Sequence, residues 1–103
     1  MPTNTPKQRP LSFALDDHDN LRLANLCGAL DENLRQIEAA FDVAIARRGE
    51  HFTLRGELEA MRRAEHAIRY FYDKAAEPIG VDTLQLGLIE LLNQPVRRVS
   101  PQA

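Results

Sequence analysis

Arginines are the side chains in this 103-residue sequence best suited to chemistry. Arg35, Arg47, Arg48, Arg55, Arg62, Arg63 and Arg69 are the basic residues between positions 35 and 69. A guanidinium presents a planar fork of donors that matches a phosphate or carboxylate. Glu38, Asp42, Glu50, Glu57, Glu59 and Glu65 are interleaved with them, so any anion site must arise from local clustering. The neighbouring turn Gly28-Ala29-Leu30-Asp31 is the second feature. A glycine there lets backbone N–H groups approach an anion closely. A carboxylate at Asp31 would repel that anion unless it faces away as a helix cap. Gly28, Ala29, Leu30, Arg35, Arg47 and Arg48 are therefore the candidate anion contacts. Each has a plainer reading: a helix–helix turn for Gly28 and a solvated hairpin turn for Arg47 and Arg48.

No catalytic or metal constellation accompanies them. His18, His51 and His66 have no mutual spacing that suggests a metal site or a general base, and each reads as structural or surface. Cys27 reads as a small buried hydrophobe. Asp16, Asp17 and Asp19 lack the glycine and distal glutamate of a calcium loop and read as capping residues. No base aligns with a hydroxyl or thiol as in a hydrolase. The expectation is a chain with no catalytic residue, no metal ligand and no cofactor of its own.

A chain of this length is one domain. At 44% hydrophobic it can build a modest core. The net charge of −2 gives no overall attraction to nucleic acid or to acidic membrane. The single cysteine excludes an internal disulfide and fits a reducing compartment. Neither a signal peptide nor an apolar run of membrane-spanning length is visible. These features point to a soluble cytoplasmic protein with no membrane partner.

The elements that must hold the arginines follow from periodicity. Residues 1–10 carry three prolines and read as a disordered tail. Leu11–Leu15 alternates as a strand, and the Asp16–Asn20 cluster starts a short helix whose Leu23 and Leu26 share a face. Gly28 ends that helix. Asp31 should cap the next one, with Leu30, Leu34, Ile37 and Phe41 as its apolar stripe. Val43–Ala46 and Phe52–Leu54 read as a hairpin around Arg48-Gly49, closed by Gly56. Met61, Ala64, Ile68 and Phe71 form the stripe of a long helix over residues 57–74. Pro78 and Gly80 break the chain. Asp82 should cap a short helix with Leu84, Leu88, Leu91 and Leu92. From Asn93 the tail lacks periodicity and reads as disordered. The order is β-α-α-β-β-α plus one helix: an α+β domain whose three-stranded sheet is covered by helices on one face. Residues 11–76 form the domain, and 77–92 a linker with the extra helix.

This order, with a glycine turn between the first two helices, resembles a type I KH domain over about residues 11 to 74. The carriers are Gly28-Ala29-Leu30-Asp31 at the Gly-x-x-Gly position, Leu34 and Ile37, Val43-Ala-Ile45, Phe52-Thr-Leu54-Arg-Gly56, and Ala64 with Ile68. The chain also resembles the N-terminal domain of bacterial PhoH-like (phosphate starvation-inducible) proteins. That likeness runs through Asp19–Gly28, Asp31–Glu38 and Ile45–Gly56, including turns and polar positions. It implies a KH-like module that binds single-stranded RNA and serves RNA metabolism, with Gly28, Ala29, Leu30, Arg35, Arg47 and Arg48 as its nucleic-acid contacts. It also implies an attached P-loop ATPase domain with ATP and magnesium. No Gly-x-x-x-x-Gly-Lys-Ser/Thr occurs here, so the resemblance makes this chain the non-catalytic fragment of such a protein. The Asp31 departure and the leucine-rich Asp82–Leu92 helix keep a second role open. That role is a protein-interaction or oligomerisation module docking the ATPase domain, another copy, or a partner such as a ribosome-maturation endoribonuclease.

Overall fold

A computed structural model describes residues 9–15 and 19–93. The described chain runs β1 (Leu11–Ala14), α1 (Asn20–Cys27), a single 3-10 turn (Ala29–Asp31), α2 (Glu32–Phe41), β2 (Ala44–Arg48), β3 (His51–Arg55), α3 (Leu58–Asp73) and α4 (Val81–Asn93). It is an α+β fold with a three-stranded antiparallel sheet and four helices. The tails expected at both ends fall almost wholly outside the described residues. Asn93, assigned to the tail by sequence, is instead the last residue of α4.

The sheet order is β1-β3-β2, so the last strand lies between the other two. Leu11 faces Leu54 and Phe13 faces Phe52 across one pair, while Ile45 faces Leu54 across the other. Directly paired residues share a sheet face. These side chains therefore make one apolar face, and Phe13 stacks on Phe52 with ring centroids 5.3 Å apart. The helices cover that face. Leu23 and Leu26 of α1, Leu34, Ile37 and Phe41 of α2, and Met61, Ala64, Ile68 and Phe71 of α3 are all buried in one core.

The α4 helix joins the same core through Leu84, Leu88 and Leu91 and packs on α2 and α3. Gly87 makes this approach possible. A Cβ built there would meet the Phe71 ring at 2.5 Å. Leu92 lies outside the core and is exposed. Asp82 is not the cap expected of it. The helix begins at Val81 and places Asp82 in its first turn.

A set of polar contacts fastens α1 to the end of α3. The four last carbonyls of a helix lack partners within it. Arg22 Nη1 donates to Tyr72 O at 2.9 Å and to Asp73 O at 3.2 Å. Asn25 Nδ2 donates to Ala75 O at 2.9 Å, and Ile79 N donates back to Asn25 O. The buried Asn33 donates from Nδ2 to Leu26 O and to Ile79 O, each at 3.0 Å. Asp19 caps α1 by accepting from Arg22 N.

Candidate functional site

The turn between α1 and α2 differs from the expected cap. Gly28 ends α1 with φ +77 and its N–H on Ala24 O. Leu30 and Asp31 then both adopt left-handed backbone, at φ 54 and 59. For non-glycine residues this conformation costs about 1–2 kcal/mol each. The helix proper starts only at Glu32, and Asp31 makes no side-chain cap bond. Its carboxylate instead accepts from Arg47 Nη2 at 3.0 Å. The left-handed turn also throws Leu30 out of the α2 stripe: it is 91% exposed. Periodicity alone had placed it in the core.

Arg47 and Arg48 are strand residues, the last two of β2, and the hairpin turn is Gly49-Glu50. Successive strand side chains point to opposite faces. Arg47 pairs with buried Phe52 and so turns toward the helices, whereas Arg48 pairs with His51 on the open face. They are therefore not one pair of contacts. Arg47 also donates from Nη1 to Gly49 O at 2.9 Å, which bends its guanidinium back along its own hairpin.

Asp31, Leu34, Arg35, Glu38, Ile45 and Arg47 line a crevice of about 120 Å³ between α2 and β2. Of the six residues proposed from sequence, Arg35 and Arg47 line it. Gly28, Ala29 and Leu30 form the turn that runs into Asp31 at its end, and Arg48 lies on the other side of the sheet. Sequence reasoning passed over Glu38. Its Oε2 accepts from Ile45 N at 2.7 Å, capping an outward N–H of edge strand β2. Glu38 sits one position after Ile37 in an otherwise apolar pattern, and only the pairing of β2 shows what it reaches. Arg47 Nε is buried and has no hydrogen-bond partner among the described residues. The crevice thus holds two cations, two carboxylates and one donor without an acceptor.

Cys27 is buried beside the turn, and burial pushes its thiol from 9.0 up to about 11. Arg47 pulls against that shift, and Asp31 adds to it. Such a thiol is a poor nucleophile at neutral pH. On α3, Arg69 pairs with Glu65 at 2.9 Å and lies over the Phe13 ring, while Arg63 lies over Phe41. Among the described residues no group of three or more His, Cys, Asp or Glu could hold a metal ion. No helix among them is long and apolar enough to cross a membrane. His18, Asp16 and Asp17 fall outside the described residues. In a scan of protein-family models none matches the chain, and no solved structure matches it.

Proposed function

We propose that the chain is a KH-like module of the type I arrangement that binds single-stranded RNA along the α2–β2 crevice and the Gly28 turn. It acts as the non-catalytic part of a PhoH-like ATPase. The element order and the antiparallel β1-β3-β2 sheet support this reading. So does the placement of Gly28 at the junction of the first two helices. The observation that carries it is the unpartnered Arg47 Nε at the crevice. A buried donor without an acceptor costs about 1–3 kcal/mol. A phosphate oxygen would satisfy it, with Arg35 as the second cation. Asp31 must then yield its place on the guanidinium.

Phosphate contacts make affinity fall with salt. A fluorescently labelled single-stranded RNA titrated with the chain should show binding at low salt. That binding should weaken as salt rises and drop at least several-fold on combining Arg35→Ala with Arg47→Ala. Absence of binding at low salt sinks the reading. A second reading, docking of a protein at the same turn, is favoured by one observation: the exposed Leu30 side chain presented at its tip. If a protein docks there instead, Leu30→Ser should abolish that docking, while Arg35→Ala combined with Arg47→Ala leaves it largely intact.

A further inference from the structure

Two faces have no partner among the described residues, and they are complementary. The first is the open side of the sheet. Its floor is made of Ser12, Ala14, Ala44, Ala46 and Thr53, which alternate with the core-facing residues. Alanine is a poor strand former, since it gives a pleated surface little to pack. Three alanines here are not explained by strand stability, and one of them, Ala46, lines a hollow. The space lined by Ala46, Arg47, Arg48, His51 and Thr53 is about 390 Å³, roughly three times the crevice volume. Arg48, His51 and Arg55 rise from the floor, and no carboxylate belongs to the strand positions on this side.

The second face is the outer side of α4. Its buried residues Leu84, Gly87, Leu88 and Leu91 cover one side. At 100° per residue, Asp82, Leu86, Ile89, Glu90 and Asn93 fall within an arc of about 100° on the opposite side. Leu86 and Ile89 are 66% and 55% exposed. Asp82 and Glu90 are the only charged residues of this helix. Glu90 makes only a long 3.5 Å contact with Tyr70 Oη.

We infer that the outer face of α4 in one copy docks into the open sheet face of a second copy. The dimensions agree. Three strands span ~10 Å, the diameter of a helix. Asp82 and Glu90 lie ~12 Å apart along the helix axis. His51 and Arg55 lie ~14 Å apart along β3. Leu86 and Ile89 then fill the hollow beside Ala46, and the two carboxylates meet Arg48, which is paired across from His51, and Arg55 at the two ends of β3. Within one copy α4 packs only on α2 and α3 among the described elements, so the contact must be made between copies. The two surfaces differ, so the association is head-to-tail and builds short chains or rings rather than a symmetric pair. A single helix face covers less than the ~800 Å² per partner of a standard interface. The association is accordingly weak.

Sedimentation of the whole chain tests this. At low salt the average mass should climb above the 11.7 kDa monomer between about 20 μM and about 1 mM, as a small interface requires. Added salt should reverse the rise. The charge reversal Asp82→Lys with Glu90→Lys should hold the chain monomeric. So should Arg48→Glu with Arg55→Glu, on an independent surface, each with unchanged circular dichroism. Mixing the two variants should restore association, because every contact in an alternating chain then joins opposite charges. A wild-type chain that stays monomeric to about 1 mM overturns the inference, as does association that survives both reversals.

Discussion

Arg22 and Arg47 are built alike and do different work. Each pairs with an aspartate and each donates to backbone carbonyls. Arg22 reaches Tyr72 and Asp73, about fifty positions away, and so ties α1 to the end of α3. Arg47 reaches Gly49, two positions away, and a carboxylate on a left-handed turn. The first closes a long loop of chain and adds a donor to carbonyls at the end of α3, where the helix runs out of its own. The second closes almost nothing and leaves its own Nε unpaired. Polar groups that bond to distant backbone build the fold. Polar groups held by nearby side chains can exchange them for a ligand.

The contrast breaks most sharply at Asn33, which belongs to the Arg22 side. Asn33→Ala leaves the carbonyls of Leu26 and Ile79 without that donor. It also removes an Oδ1 that itself has no partner among the described residues. The net loss should be about 2–3 kcal/mol by denaturant unfolding. A loss under about 0.5 kcal/mol would show that the bonds from α2 to α1 and to the segment after α3 are as exchangeable as those of the crevice.

Cys27 lies where the two regions meet and reports on both. Its thiol is raised by burial from 9.0 to about 11, so the folded state favours the protonated form. That contribution is complete below pH 9 and is lost as pH rises from 9 toward 11, by at most about 3 kcal/mol in all. Wild type should therefore lose more stability over this window than Cys27→Ala does, and equal losses would contradict the assignment. Thiol titration sharpens the test. Arg47→Ala should raise the Cys27 pKa further, and Asp31→Asn should lower it.

The smallest effect is expected at the turn itself. Asp31→Gly removes a half-exposed ion pair worth about 0.2–1 kcal/mol. It also relieves a left-handed aspartate of about 1 kcal/mol or more. The thermal midpoint should stay put or rise slightly. A drop of several degrees would place the Asp31–Arg47 pair among the fold-building contacts with Arg22.

Much of the fold could be read in advance, because it rests on local periodicity. The stripes Leu34-Ile37-Phe41 and Met61-Ala64-Ile68-Phe71, the Gly28 stop and the hairpin before Gly56 all appear where spacing placed them. Two of the misreadings share one cause. Leu30 fits the helical period of α2, but the backbone turns left-handed at Leu30 and Asp31 and exposes it. Arg47 and Arg48 are neighbours in sequence, but β2 runs two residues past its expected end at Ala46 and splits them between two faces. Periodicity reports which side of an element is apolar. It does not report where that element begins or ends, and a shift of two residues decides both cases.

Sequence alone determined the α+β class, the number of strands, the core faces of the helices and the lack of a phosphate-binding P-loop motif in this chain. These depend on residue types at short range. Only the tertiary structure decided that Asp31 closes on Arg47, that Glu38 caps the edge of β2, that Arg22 binds α1 to the end of α3, and that Asn25 and Asn33 tie α1 and α2 to the segment after it. Each of these contacts joins groups from different elements across a gap of a few ångströms. Their partners are set by how the helices pack on the sheet, a long-range outcome that no local pattern of residues encodes.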